Sequence, residues 1–179
     1  ALAPEAPATL DDLAAVCDDL GDDVDPCLAV PADDPYYAFP FLASPGGYFF
    51  GYDPATGYDL GDVGLDDDGA VAGMTLLRDL VARDLLDPAM DYGTMTSGFF
   101  AGRVAFMWTA SWALPDADAA VAAATLPGYA GSPLPQILGN EAGALVHAQG
   151  FMVNAFSERK TLAQQFLLDY LATGEAMQA

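Results

Sequence analysis

Basic side chains are nearly missing from this chain of 179 residues: five Lys and Arg face 26 Asp and Glu, for a formal net charge of −21. Such a chain repels phosphate backbones, which excludes nucleic-acid binding. The same repulsion disfavours anionic membrane surfaces. No run of about 18 uncharged apolar residues is present, so no transmembrane helix is expected. The Ala-rich stretch 117–131 is too short and too small-sided to serve as one. Histidine occurs once, at His147 in an apolar segment. A Ser-His-Asp triad therefore has one candidate base, and an imidazole in that setting reads as structural. Also missing are G-x-G-x-x-G, the P-loop, H-E-x-x-H and G-x-S-x-G. Carboxylates are plentiful enough for a glycosidase-like pair, but their abundance makes each one a solvated surface group first. The expectation is a protein without catalytic activity, metal or cofactor.

Cysteine is scarce too. Cys17 and Cys27 sit ten apart around an Asp/Gly loop. A disulfide there would stabilise by roughly 2–3 kcal/mol, and an oxidising compartment permits one. Two unpaired thiols are the alternative. Neither cysteine has a neighbouring Cys or His for a zinc site. The chain starts at Ala1 without a basic and then apolar leader, so it reads as a mature product or a fragment.

What is present is a core. Hydrophobic residues make up 53% of the chain, which rules out a disordered acidic tail. A chain this size buries roughly 70% of its unfolded surface. Its length fits one domain, or one and part of another. Abundant Asp and Ala with almost no Lys suit a high-salt habitat, where screening relaxes self-repulsion. A GC-rich genome would bias composition the same way.

Along the chain, residues 1–8 read as a Pro/Ala-rich linker. Thr9 and Asp12 form an approximate capping box. The helix they open carries Leu10, Leu13, Val16, Cys17 and Leu20 on one face, and Gly21 ends it. Residues 27–30 read as a strand. Residues 33–58 are rich in aromatics broken by Pro and Gly, a composition that predicts loops and short turns with partly exposed rings. Residues 69–86 carry Val71, Met74, Leu77, Val81 and Leu85 at helical spacing. The preceding Asp66, Asp67 and Asp68 suit its N-terminus and lack the alternation of a calcium loop. A short helix over 94–101 ends at Gly102. VAFMWT (104–109) reads as a buried strand with Trp108 in the core. Alanine content favours helix over 117–126, and Pro127 leaves strand open. A strand over 145–153 and a helix over 161–172, with Leu162, Phe166 and Tyr170 in register, complete an α/β pattern.

Four segments in order resemble the extracellular solute-binding proteins of sugar ABC importers, with most similarity to the maltose/maltodextrin-binding branch. They are DPYYAFPFLASPGGYFF (34–50), YDLGDVGLDDDGAVAGMTLLRDLV (58–81), FFAGRVAFMWTASW (99–112) and FMVNAFSERKTLAQQFLLDYLATGEAMQA (151–179). The resemblance implies one incomplete lobe of a two-lobe, type II periplasmic-binding-protein-like α/β fold. Residues 1–143 would be the second lobe. Residues 144–179 would be a hinge-crossing strand and helix that pack on the other lobe. It also implies a strand near 119–126, against the alanine propensity.

For function, the resemblance implies capture of an oligosaccharide outside the membrane, in a periplasm or at a lipid anchor, and delivery to the transmembrane subunits of an ABC permease. It places Asp34 as a carboxylate acceptor for sugar hydroxyls and Tyr36 as a ring and hydroxyl contact. Tyr37 is a neighbouring aromatic, Pro35 fixes the loop, and Trp112 stacks on a sugar ring. These types suit a pyranose: a ring covers its C–H face while ionised acceptors satisfy its rim. Alternatives are another sugar, a polyol or glycerol phosphate on the same fold, a carbohydrate-active enzyme, or an acidic structural protein.

Overall fold

A computed structural model describes residues 6–21, 24–146 and 150–173. The chain divides into two units, 1–145 and 146–179.

In the first unit, helix α1 (Leu10–Leu20) starts at a full capping box. Thr9 Oγ1 accepts the Asp12 N–H, and the Asp12 carboxylate accepts the Thr9 N–H, each at 3.0 Å. Leu10, Leu13, Ala14 and Cys17 are its buried face, and Gly21 closes it at φ +52°. Cys17 is disulfide-bonded to Cys27, which tethers the helix end to strand β1 (Leu28–Ala29). β1 pairs in parallel with β4 (Phe106–Met107), Leu28 opposite Phe106. The expected strand over 104–109 thus shrinks to two ladder residues, while Val104 and Trp108 on either side fill the core.

Residues 35–43 are a helix, not the loop their composition predicts. Asp34 caps α2 (Pro35–Ala43), and Pro35 stands in its first turn, where a missing N–H costs nothing. Pro40 lies inside α2, yet Tyr37, Ala38, Pro40 and Phe41 are buried together. Burial of four consecutive-turn side chains outweighs the lost backbone hydrogen bond, as packing commonly overrides propensity.

Helix α3 (Asp68–Ala82) packs on α2. Its buried face is Ala70, Gly73, Leu77 and Leu80, whereas Val71 and Met74 are 54% and 41% exposed. The expected stripe is therefore rotated. The reason is backbone approach: a Cβ on Gly73 would collide with the Phe41 carbonyl, and one on Gly69 with that of Pro45. Gly69 and Gly73 set this close approach. Asp67 is the N-cap residue in extended conformation, but its side chain makes no capping hydrogen bond.

Between α2 and α3 lies an antiparallel hairpin, β2 (Gly51–Asp53) and β3 (Gly57–Asp59), with Tyr52 opposite Tyr58. Helix α4 (Tyr92–Phe100) is capped by Asp91 and buries Met95 and Gly98; the chain turns out of it through Gly102 at φ +71°. Residues 114–122 form helix α5 (Leu114–Ala122), which corrects the strand expected near 119–126. Pro115 opens it, and the buried Ala117 and Ala120 give it a small face against α4. Alanine propensity, with Pro at the start rather than inside, decides this segment. Ala124 then turns at φ +57° and Leu126 is buried.

In the second unit, the described residues 150–153 are not a strand. Asn154 Oδ1 accepts the Phe156 N–H and its carbonyl the Ser157 N–H, forming a turn. Helix α6 (Lys160–Phe166) continues into a π-helical turn at Leu167–Leu171, and the Phe166 and Tyr170 rings stack with centroids 5.5 Å apart. No described side chain of this unit is buried. His147 lies outside the described residues.

Candidate functional site

The site residues of the first unit hang on the parallel pair. Phe106 donates to the Cys27 carbonyl at 2.8 Å and Trp108 to that of Ala29 at 3.1 Å. Both strands therefore end side by side, and the chain leaving each carboxyl end carries one part of the site. That edge of a parallel pair is where α/β folds gather ligand-binding groups.

After β1, the chain turns through an Asp34 N–H to Pro31 carbonyl hydrogen bond of 3.1 Å and enters α2. Asp34 Oδ1 accepts the Tyr36 N–H at 2.8 Å. One oxygen of the expected sugar acceptor is thus spent on capping, and the other has no hydrogen bond to a described residue. Asp34 itself is exposed. Pro35 holds the first turn, so Tyr36 and Tyr37 leave the helix at fixed angles. Tyr36 is half-buried; Tyr37 is only 7% exposed.

After β4, Trp108 packs on Phe41 with centroids 5.2 Å apart and belongs to the core. A 3₁₀ turn at Ser111–Ala113 follows and presents Trp112, 42% exposed. Its ring centroid is 5.6 Å from that of Tyr36, and Tyr36 meets Tyr37 edge-on at 5.2 Å. The structure thus brings Tyr36, Tyr37 and Trp112 into one aromatic group, with Asp34 at its edge. Tyr37 forms the floor and Tyr36 and Trp112 the accessible rim.

One member was not legible in the sequence. Tyr92, 40% exposed in the first turn of α4, stacks on Tyr37 at 6.4 Å. The usable signal was an Asp N-cap directly followed by an aromatic; at Asp34 the aromatic comes one residue later, after Pro35. The Asp91 carboxyl is held below the usual carboxylate range, chiefly by the Thr94 N–H at 2.6 Å. The Tyr37 phenol is pushed up by burial first, then by Tyr92 and the Asp34 charge. Thr109 opposes this weakly. Its hydroxyl is buried near that phenol without meeting hydrogen-bond geometry.

Beneath the rings lies a recess of about 90 Å³, lined by Tyr36, Tyr37, Pro40, Trp108, Thr109 and Leu134 among others, with no Lys or Arg. Ligand clefts usually exceed about 300 Å³. The group is therefore a shallow aromatic surface rather than an enclosing pocket. A larger groove of about 300 Å³, between α3 and the turn after β1, contains none of the expected site residues. Among the described residues, no group of three His, Cys, Asp or Glu is placed to hold a metal ion.

The family model of the bacterial extracellular solute-binding proteins matches residues 1–179. The chain belongs to that family. It is an α/β solute-binding protein of ABC transporters, acting in the periplasm or outside the cell. Such proteins bind a solute and pass it to a membrane permease, and they are normally not enzymes. No helix among the described residues is long and apolar enough to cross a membrane.

Proposed function

We propose that this solute-binding protein captures a neutral carbohydrate, with maltose/maltodextrin-type glucans as the ligand, and that residues 1–145 supply one wall of an interlobe cleft. The observation that carries the reading is the convergence of the Tyr36 and Trp112 rings, 5.6 Å apart and both partly exposed, beside an exposed carboxylate. Sugar C–H faces stack on such rings, and rim hydroxyls donate to carboxylates. In this reading Asp34 accepts a hydroxyl through its uncapped oxygen, Tyr36 and Trp112 cover the pyranose, and Tyr37 with Tyr92 holds Tyr36 upright. The recess has no basic lining, which argues against a phosphorylated ligand such as glycerol phosphate. The second unit, carrying the hinge-crossing segment of the resemblance, would complete the fold in the whole protein.

The deciding experiment is calorimetric titration of the complete protein with maltose, maltotriose and a panel of polyols and other disaccharides. Trp112→Ala should weaken glucan binding about tenfold or more. Glucan affinity untouched by that change would remove Trp112 from the site. Binding of a polyol in place of every glucan would overturn the ligand class.

A further inference from the structure

The recess beside the aromatic group has a polar atom in its wall with nothing to bond. Thr109 Oγ1 is buried and has no hydrogen-bond partner among the described residues. A buried hydroxyl left in that state is destabilising and calls for an explanation. The backbone there cannot drift to relieve it. The Trp108 N–H donates to the Ala29 carbonyl at 3.1 Å, and the Trp108 ring packs on Phe41 in the core. Thr109 is therefore held in place just after β4. Its neighbour is the Tyr37 phenol. Tyr37 is fixed in turn by α2 and by the rings of Tyr36 and Tyr92, at 5.2 and 6.4 Å. Two hydroxyls are thus brought together without being aligned, and both residues line the same recess.

The size and lining of the recess say what completes the pair. Its volume of about 90 Å³ equals roughly three waters at about 30 Å³ each. That is room for a substituent of two or three heavy atoms and too little for a sugar ring. No Lys, Arg, Asp or Glu lines it. A phosphate or carboxylate would find no cation there, and an ammonium no anion, so the guest is uncharged. Pro40, Trp108 and Leu134 supply apolar walls for carbon, and the Tyr37 and Thr109 hydroxyls supply a partner for oxygen. A hydroxymethyl group has that make-up, whereas a methyl group would leave both hydroxyls unpaired. On the carbohydrate reading above, we propose that the recess takes the hydroxymethyl arm of a hexopyranose stacked on Tyr36 and Trp112, that the Tyr37 hydroxyl bonds its oxygen, and that Thr109 is the positioning residue for Tyr37. Thr109 donates to Tyr37 Oη, which turns the phenol proton toward the guest oxygen, and each bond polarises the next. A pentopyranose lacks that arm, leaves the recess unfilled and binds more weakly.

The test is calorimetric titration of the complete protein with maltose and with its 6-deoxy and 6′-deoxy analogues, which keep both rings and lose one hydroxyl each. One analogue should bind about three- to tenfold more weakly than maltose, the loss expected for one neutral hydrogen bond. Tyr37→Phe and Thr109→Val should each weaken maltose without weakening that analogue further, and Thr109→Ser should retain the preference. Thr109→Val has a second readout that needs no ligand. Replacing an unpaired buried hydroxyl by a methyl of the same shape removes a desolvation cost, so the Tm of the free protein should rise while maltose affinity falls. A residue that only maintained the fold would lower both. Equal affinity for maltose and both analogues overturns the proposal and leaves the carbohydrate reading standing. A Thr109→Val protein that keeps the full preference, or that melts lower, overturns the role of Thr109. A protein that binds none of the three sugars overturns the carbohydrate reading, and the hydroxymethyl recess with it.

Discussion

Reducing the Cys17–Cys27 bond should lower the melting temperature substantially without changing the native structure. The bond closes a loop with a sequence separation of 10. Chain-entropy arithmetic for a loop that size gives about 9 cal/mol/K, or about 3 kcal/mol at 25 °C. For a chain of this length each kcal/mol moves Tm by roughly 2–4 °C, so the expected loss is roughly 6–12 °C. The native fold should survive reduction, because both ends of the tether have other anchors. Cys17 sits in the buried face of α1, and the Cys27 carbonyl accepts the Phe106 N–H at 2.8 Å. The assay is differential scanning calorimetry with and without a thiol reductant, with Cys17→Ala/Cys27→Ala as the second route to the open loop. Melts that agree within about 2 °C would refute the loop-entropy argument. Loss of near-ultraviolet circular dichroism on reduction at 25 °C would refute it differently, by showing that the bond holds the folded state together.

Three further outcomes follow from the geometry. The Tyr48 phenol is pushed up to about 12, first by its hydrogen bond to Asp62, from an ordinary 10.0. A raised folded pKa means that this contact contributes fully below about pH 10 and is lost as pH rises toward 12. Tyr37 and Tyr129 are raised as well, so alkaline titration by phenolate absorbance should show Tyr48 among several late-ionising tyrosines, and Asp62→Asn should remove one of them from that late phase; an unchanged titration would show that the bond does not form in solution. Gly73→Ala gains about 1 kcal/mol of helix propensity but drives a methyl into the Phe41 carbonyl, an overpacking cost of about 1–3 kcal/mol. A lower Tm is expected, and a higher one would mean that α2 and α3 are not in backbone contact. Finally, the single ion pair among the described residues, Arg78–Asp79 at 2.9 Å, is exposed. With a net charge of −21, Tm should rise as salt shortens the screening length from about 30 Å at 0.01 M to about 3 Å at 1 M. A Tm that is flat or falling across that range contradicts unrelieved self-repulsion.

Local chemistry made some elements readable. Thr9 and Asp12 announced α1 because a capping box is satisfied within four residues, and Gly102 announced the end of α4 because only its backbone conformation matters there. Trp108 was legible as core from its place in an apolar run. Within 33–58, residues 35–43 were not legible as a helix. Its Pro and Gly content describes local cost, whereas α2 forms because it packs on α3 and because Tyr37 and Phe41 meet Tyr92 and Trp108, which come much later in the chain. The face of α3 was misjudged for a related reason. Large side chains set the spacing in the sequence, but Gly69 and Gly73 decide how near α2 can come. Alanine propensity had α5 right, and the strand implied by resemblance did not fit a segment without a ladder partner among the described residues.

The sequence by itself determined the charge, the absence of familiar catalytic motifs, the capping box of α1 and the aromatic-rich stretch that begins around Asp34. Each of these depends on composition or on residues within one turn. Only the tertiary structure decided that Tyr36, Tyr37, Tyr92 and Trp112 form one aromatic group, and that Tyr52 and Tyr58 share one face of a hairpin. The first depends on two parallel strands ending side by side, the second on strand register. Both relations join residues through the packed chain, where spacing in the sequence carries no distance.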